Sequence, residues 1–528
     1  MHLLNITNFD YGMMTALFLI ILVISYKFRR TNSTSEVFLL MKNYQMPAFV
    51  RPLSFLSFGL TEFVALSGYG AYAGIPALCA FIPVFLVSAW IYEVFIAKSE
   101  VFQSLIQVKD TNLSNKFILV IYGLFMIIVA GVSIAIMVTM FKSLLGWEFG
   151  NSTLSLLGVM LVALLLGGMI AATYNQAISW IIVTLVMLVV ATLAYRAIGS
   201  GNIIFNLQQV AKDNQLPLES FTKFKYNLHT IKDLWVLVLA SMMIFIMSPL
   251  NFLKMPVSSS ATISSRYFTR IIQLASILVL IFLGIFALAT PYKANLIAGK
   301  RVVTQQMRLN DGSIGYIVKA VPTDQPTLQR GLVPSLAEDD NNITSMSLVQ
   351  FDFVSSAMVL LKSVLPYAFV SLFILVMLFY KAISESILFA TMIIIRRFYA
   401  PKYNKTGDEL ENLWASRVFL FALIAVSISV GLVFFKYFDI YYMLSIILLL
   451  STPLLLNLIG LSVNWLVDCI IYGVIFILLL INNIEGVPSL FPLVHFKDLF
   501  SMVCSLSSMV AIIYILSYGL VKIVGKKD

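Results

Sequence analysis

Four ionisable side chains lie inside apolar runs. Glu62 sits in SFLSFGLTEFVALSGYGAYAG (54–74), Lys381 and Glu385 stand one helical turn apart within 365–396, and Asp468 lies within 462–482. An ion in hydrocarbon is costly, so such groups face a partner or a watery cavity and mark ion or substrate paths. Carboxylates are oxygen donors for a cation or an amine. An ammonium is a compact charge with three donors, suited to a cage of carbonyl oxygens. The chemistry these types offer is binding and proton exchange. His2, His229 and His495 fall outside the apolar runs, and Cys79, Cys469 and Cys504 lie within them without zinc spacing. No disulfide framework, haem, di-iron or zinc cluster is expected from that set, and no enzyme active site. Glu93 and Arg196 lie near helix ends, where snorkelling accounts for them.

The elements that hold these residues must be membrane helices. The chain has 528 residues, 60% hydrophobic and 11% charged, with a mean hydropathy of +0.95. A soluble chain is about half apolar and a quarter charged, so the bilayer is the solvent here. Thirteen helices are expected, at 11–28, 49–74, 77–97, 116–141, 153–171, 176–197, 231–254, 265–292, 365–396, 413–435, 438–459, 462–482 and 499–523. They are called helices zero to twelve. The net charge of +10 gathers in alternate short loops and is a topology signal, so nucleic acid is excluded as a partner. It predicts an outside N-terminus and a cytoplasmic C-terminus.

Two helices carry internal breaks. Helix one is interrupted by glycine, and helix six (MIFIMSPLNFLKM) has Ser248, Pro249 and Asn251 in mid-run. Proline removes an amide donor and clashes with the preceding turn. Carbonyls freed in this way cannot face lipid and must line an enclosed cavity. Each broken helix opens a five-helix set, which points to inverted repeats. Glycines that merely let helices pack closely are the competing account. Residues 203–211 (IIFNLQQVA) have helical apolar spacing and suit the membrane surface. RVVTQQMRLNDGSIGYIVKAV, around Asp311 and Gly312, alternates as a β-hairpin would, a lid or a plain loop.

Four stretches resemble the sodium:solute symporter family. SEVFLLMKNYQMPAFVRPLSFLSFGL is similar to the family's approach to its first core helix, with Lys42 at the arginine position. FVALSGYGAYAGIPAL is similar to the glycine-rich exit. SPLNFLKMPVSSSATISSRYF resembles the segment after broken helix six, and SESILFATMIIIRRFYAPKY the end of helix eight. The resemblance covers roughly 1–460. It implies an all-α, LeuT-like fold of thirteen transmembrane helices, with a 5+5 inverted repeat, broken helices one and six, and a midplane substrate site. The divisions are 1–48, the repeats 49–197 and 231–460, the exterior segments 198–230 and 294–353, and the peripheral 461–528.

The family's sodium site joins carbonyls of helix one to two hydroxyls of helix eight. The corresponding region here holds Phe55, Phe58, Met377, Tyr380, Lys381, Ser384 and Glu385, with Tyr380 and Lys381 at the paired serines. The Thr-Asp pair of helix five falls near Ile181 and Ile182. Either Lys381 replaces the sodium ion, fixed or titrating, or it simply pairs with Glu385. Substrate contacts are expected from Glu62, Thr61, Ser67, Tyr69, Ser248 and Asn251; Glu62 meets cargo or pairs with Lys381. Asp468 reads as an interhelical contact. The resemblance implies a symporter that takes up a small polar solute, amine-bearing or hydroxylated, by alternating access, coupled to sodium or protons. A sodium-independent exchanger or facilitator and a transporter-fold sensor are the alternatives. No cofactor is expected, with sodium an open case; a bacterial inner-membrane location is expected, and the protein as a monomer or loose oligomer.

Overall fold

The stretch 54–74 that carries Glu62 belongs to two helices rather than one. In the computed structural model, α1 (Asn8–Lys27), α2 (Ser35–Leu40), α3 (Val50–Leu56) and α4 (Leu60–Ala73) follow in order. The structure describes residues 7–41, 44–47, 49–94, 113–145, 149–199, 202–213, 222, 238–244, 263–289, 300–308, 314–322, 335–339, 343–348, 357, 360–361, 364–365, 368–404, 407–438, 440–459, 461, 465–483, 503 and 506–516. Helix one is broken as its sequence predicts. Ser57 turns out of helix with ψ 145°, and Gly59 is extended at φ −92° and ψ 178°. The remaining glycines divide the other tasks. Gly74 ends α4 with φ 67°, a left-handed value that suits a residue without Cβ. Gly70 serves packing, as described below.

Next come α5 (Pro76–Val94), α6 (Leu113–Leu145), α7 (Phe149–Ile198) and α8 (Ile203–Asp213). α7 merges expected helices four and five. Fifty residues would run about 75 Å if straight, more than twice the hydrocarbon thickness of about 30 Å. The helix instead bends at Gly168 (φ 53°), and each arm is long enough for its own crossing. The turning point therefore lies before 172–175, the expected gap. Gly168 accepts the positive φ, and Phe38 fills the place of its missing side chain, 2.5 Å from where a Cβ would lie. α8 is the surface-type helix expected from 203–211.

Of helix six the described part is 238–244; Ser248, Pro249 and Asn251 lie outside the described residues, so its break does too. The chain continues as α9 (Ile263–Ala289), then strands β1 (Lys300–Arg308), β2 (Ile314–Pro322), β3 (Ser335–Asp339) and β4 (Ile343–Leu348). The strands form one antiparallel sheet in the order β2-β1-β4-β3. β1 and β2 pair as the expected hairpin, from Arg308 opposite Ile314 to Lys300 opposite Pro322. The second pair, β3 and β4, was not foreseen, and apart from this sheet the regular elements among the described residues are helices.

The last helices are α10 (Ala368–Ile394, continuing through a π-turn to Lys402), α11 (Glu409–Tyr437), α12 (Ile440–Leu458) and α13 (Trp465–Asn483), with a further helical stretch at 506–516. Among the described residues, seven helices are long and apolar enough to cross a membrane, with shorter apolar helices at Tyr442–Leu458, Leu466–Ile475 and Leu506–Leu516. The chain is an integral membrane protein. Thirteen separate spans and the two repeats are not resolved by this set. α10 is the central helix: almost every side chain from Ala368 to Met392 is buried, against α1, α4, α6, α7 and α11.

α4 and α9 cross at backbone contact. A Cβ on Gly70 would lie 2.1 Å from the Ile281 carbonyl oxygen, and one on Gly284 would lie 1.9 Å from the Ser67 carbonyl oxygen. Small residues are the usual means of such an approach in membranes. Both accounts of the glycines therefore hold, at different positions. Gly70→Ala and Gly284→Ala should each destabilise by about 1–3 kcal/mol, the usual cost of overpacking. Gly158→Ala, with nothing within 4 Å, should be neutral, as read from thermal unfolding in detergent. Unchanged stability of both crossing variants would contradict the close crossing.

Candidate functional site in the broken helix

The break leaves the Ser57 carbonyl outside both α3 and α4. Ser57 itself is held in place: its N–H donates to the Ser54 carbonyl at 3.3 Å and its hydroxyl donates to the same oxygen at 2.6 Å. The freed Ser57 oxygen accepts a hydrogen bond from Lys381 Nζ of α10 at 2.5 Å. Lys381 is only 3% exposed. Two carboxylates flank the ammonium, Glu62 Oε1 at 4.0 Å and Glu385 Oε2 at 4.0 Å. Glu62 and Glu385 are each 5% exposed.

The local chain explains this placement. Glu62 stands in the first turn of α4, where the unpaired N–H groups favour a carboxylate. Its Oε2 folds back over Gly59, 2.6 Å from where a Cβ would sit there. An alanine at 59 would therefore push against the carboxylate. Ser57 lies at the C-terminal end of α3, where unpaired carbonyls favour a cation. The break thus sets an electronegative end beside an electropositive end and fits each with a side chain of opposite sign. Lys381 and Glu385 are spaced i and i+4 on α10, which places both on the face turned to the break.

Other polar contacts brace α10 from the second arm of α7. Asn175 Nδ2 donates to the Tyr380 hydroxyl at 3.3 Å, and Gln176 Nε2 donates to Ser384 Oγ at 3.0 Å. Ser384 Oγ in turn donates to the Lys381 carbonyl at 3.0 Å. Thr61 and Ser133 of α6 share a hydroxyl contact at 3.3 Å. Of the residues expected at a substrate site, Glu62 is beside the ammonium and Thr61 is tied to α6. The Ser67 hydroxyl donates within its own helix, to Val64 at 3.4 Å, and Tyr69 is buried. Phe55 lies under the Arg270 guanidinium, 4.9 Å from the ring centre. Phe58 and Met377 are buried core residues.

Sequence reasoning missed Ser57, Ser133, Asn175 and Gln176. Asn175 falls in the expected gap at 172–175, and Gln176 is the first residue of expected helix five. They are polar because they face α10, not because the helix ends there. Ile181 and Ile182, aligned earlier with a polar pair, are partly exposed apolar residues.

Two further charged clusters join helices away from the break. Arg270 of α9 pairs with Glu93 at 2.8 Å and Gln273 at 2.9 Å, and its guanidinium also lies 4.8 Å from the Tyr92 ring. Glu93 is therefore paired between helices, which replaces the snorkelling expected for it. Asp468 of α13 accepts from the Tyr514 hydroxyl and from Asn457 Nδ2, the latter at 3.1 Å, so it joins three helices.

The central group carries two carboxylates and one ammonium. Charges buried to this degree are costly unless they are paired, and here the ammonium lies within 4.0 Å of both carboxylates. Among the described residues no three His, Cys, Asp or Glu side chains converge as a metal site.

No family model matches the chain, and no curated protein matches it. Its fold is similar to that of a Na+-coupled sialic acid symporter, solved substrate-bound in an outward-open state. The TM-score is 0.64, with 12% sequence identity over 98% of each chain. The likeness is one of fold.

Removing the ammonium while leaving both carboxylates buried should cost about 3–5 kcal/mol. Lys381→Met should lower thermal stability by that order, and Glu62→Gln in the same chain should recover part of the loss. A Lys381→Met protein as stable as the parent would show that the ammonium does not hold the break.

Proposed function

We propose that this chain is a secondary transporter working by alternating access, in which the Lys381 ammonium stands at the cation position of the broken first helix. The observation that carries the reading is the 2.5 Å hydrogen bond from Lys381 Nζ to the freed Ser57 carbonyl. A carbonyl exposed by a helix break in a membrane needs a cation or a donor, and a lysine supplies both. The family resemblance, a LeuT-like repeat and thirteen spans belong to this proposal, supported by a fold similar to that of a symporter. So do the inner-membrane location, the outside N-terminus and the cytoplasmic C-terminus.

The cargo is a small polar solute bearing an amine or other cationic group. Glu62 is its primary contact. Thr61, Ser67, Tyr69, Ser248 and Asn251 complete the set expected at the site, and the binding protein is a monomer or a loose oligomer. Glu62 then alternates between the cargo and a proton, so that transport follows a proton gradient or exchanges one solute for another. No sodium ion is required at this position. A second reading, sodium-coupled symport, is favoured by the Na+-coupled protein of similar fold. It requires sodium to bind elsewhere, or to displace the lysine during the cycle.

The test is uptake into proteoliposomes of a panel of amine-bearing, hydroxylated and anionic solutes under imposed sodium or proton gradients. The expected result is uptake of an amine-bearing solute that ignores sodium, responds to pH and falls with Glu62→Gln. Uptake that depends strictly on sodium in the unaltered protein would overturn the lysine reading in favour of the second.

A further inference from the structure

Two arginines face one groove at the end of the bundle that carries the basic loops. A cavity of about 540 Å³ is lined by Arg29, Leu165, Leu166, Trp414, Arg417 and Phe421, among others. It lies between the turn after α1, the first arm of α7 and the start of α11. We propose that this groove binds an anionic phospholipid, with the two guanidinium groups on its phosphate and the apolar wall against its acyl chains.

The charge balance points to an anion. Arg29 is the charged neighbour of Arg417, so the pair is one of like charges. Among the described residues neither arginine has a carboxylate partner, and the Arg417 Nε is buried without a hydrogen-bond acceptor. The acidic groups of the neighbouring segments are engaged elsewhere. Glu36 lies 3.5 Å from Arg396, Glu409 accepts from Ser35 at 2.7 Å, Glu411 accepts from Tyr399 at 2.9 Å, and Asp408 caps α11 at 2.9 Å. Guanidinium is the donor geometry that matches a phosphate in two-point fashion.

The groove is also built. The Arg417 guanidinium lies between the rings of Trp414, at 5.5 Å, and Phe38, at 5.9 Å. Phe38 is itself wedged at the Gly168 bend of α7. Asn32 Nδ2 donates to the Leu166 carbonyl at 3.1 Å, which anchors the turn bearing Arg29 against that arm. Arg417 is therefore held by the fold, and the turn that carries the exposed Arg29 is anchored beside it.

The apolar surface beside the arginines favours a lipid over a soluble anion. Arg417 is eight residues past Glu409, about 12 Å along the axis of α11, where the apolar run of that helix has begun. Trp414, Val418 and Phe421 recur at i, i+4 and i+7 and are 59%, 64% and 58% exposed. That apolar stripe faces outward beside the arginines and offers a surface for acyl chains. Basic pockets between membrane helices are known to take anionic headgroups in this way.

The experiment uses the full chain in nanodiscs of mixed phosphatidylglycerol and phosphatidylcholine, released and weighed by native mass spectrometry. The expected result is several-fold enrichment of retained phosphatidylglycerol, lost when Arg29→Gln and Arg417→Gln are combined. It should be kept in Lys402→Gln, which removes a charge at the same end but outside the groove. Should the double variant fail to fold, Arg417→Lys serves instead, with retention expected to weaken because the fork is lost. Unchanged enrichment in the double variant, or in Arg417→Lys where that is used, would overturn the proposal. So would an equal loss in Lys402→Gln, or displacement of the lipid by inorganic phosphate.

Discussion

A carbonyl oxygen released by a helix break must be satisfied inside the membrane, and the rest of this structure is arranged around the satisfaction of one such oxygen. Ser57 O is freed because the chain leaves helix at Ser57 and re-enters at Leu60. No water-like environment is guaranteed at that depth, so the partner has to come from the protein or from a bound ion. Here it comes from α10, as the Lys381 ammonium. An ammonium at that depth is itself costly, so it requires carboxylates, and Glu62 and Glu385 stand 4.0 Å away on either helix. Each step of the arrangement is forced by the one before it.

The same constraint orders the packing. α10 must be central for its lysine to reach the break, and it is buried along nearly its whole length. It is fixed in rotation by Asn175 and Gln176, which bond Tyr380 and Ser384 from the second arm of α7. α4 must stay in place for Glu62 to face the lysine, and its close crossing with α9 at Gly70 and Gly284 supplies that. The buried ammonium and its two carboxylates are then held together at the break.

Much of this arrangement is legible in the residues, for identifiable reasons. Glycine before a threonine and glutamate in a long apolar run marks a break, because Gly59 weakens the helix and Glu62 needs a helix N-terminus. The pairing of Lys381 with Glu385 follows from their spacing, and the hairpin of β1 and β2 follows from alternation around a tight turn. The identity of the carbonyl does not follow: Ser57 contributes its backbone, and side-chain identity says little about which backbone oxygen faces a neighbour. Asn175 was placed in a gap because a polar residue inside an apolar stretch has two physical causes, a loop or a polar neighbour in the core. Periodicity cannot separate them; the pair Gly167–Gly168 was the better marker of the turning point. Glu93 shows the same ambiguity, since a charge near a helix end can reach for the interface or for an arginine on another helix.

The central claim is that an ammonium, not a sodium ion, occupies the break. It is tested most directly by the melting temperature of the purified protein titrated with sodium against choline at matched ionic strength, since an ion that binds the folded state raises stability by mass action. The account predicts that sodium and choline give the same curve for the unaltered chain, and that a sodium-specific rise emerges only in Lys381→Ser, where an oxygen ligand stands in the ammonium's place. A saturable, sodium-specific rise in the unaltered chain that is lost in Lys381→Ser would contradict it.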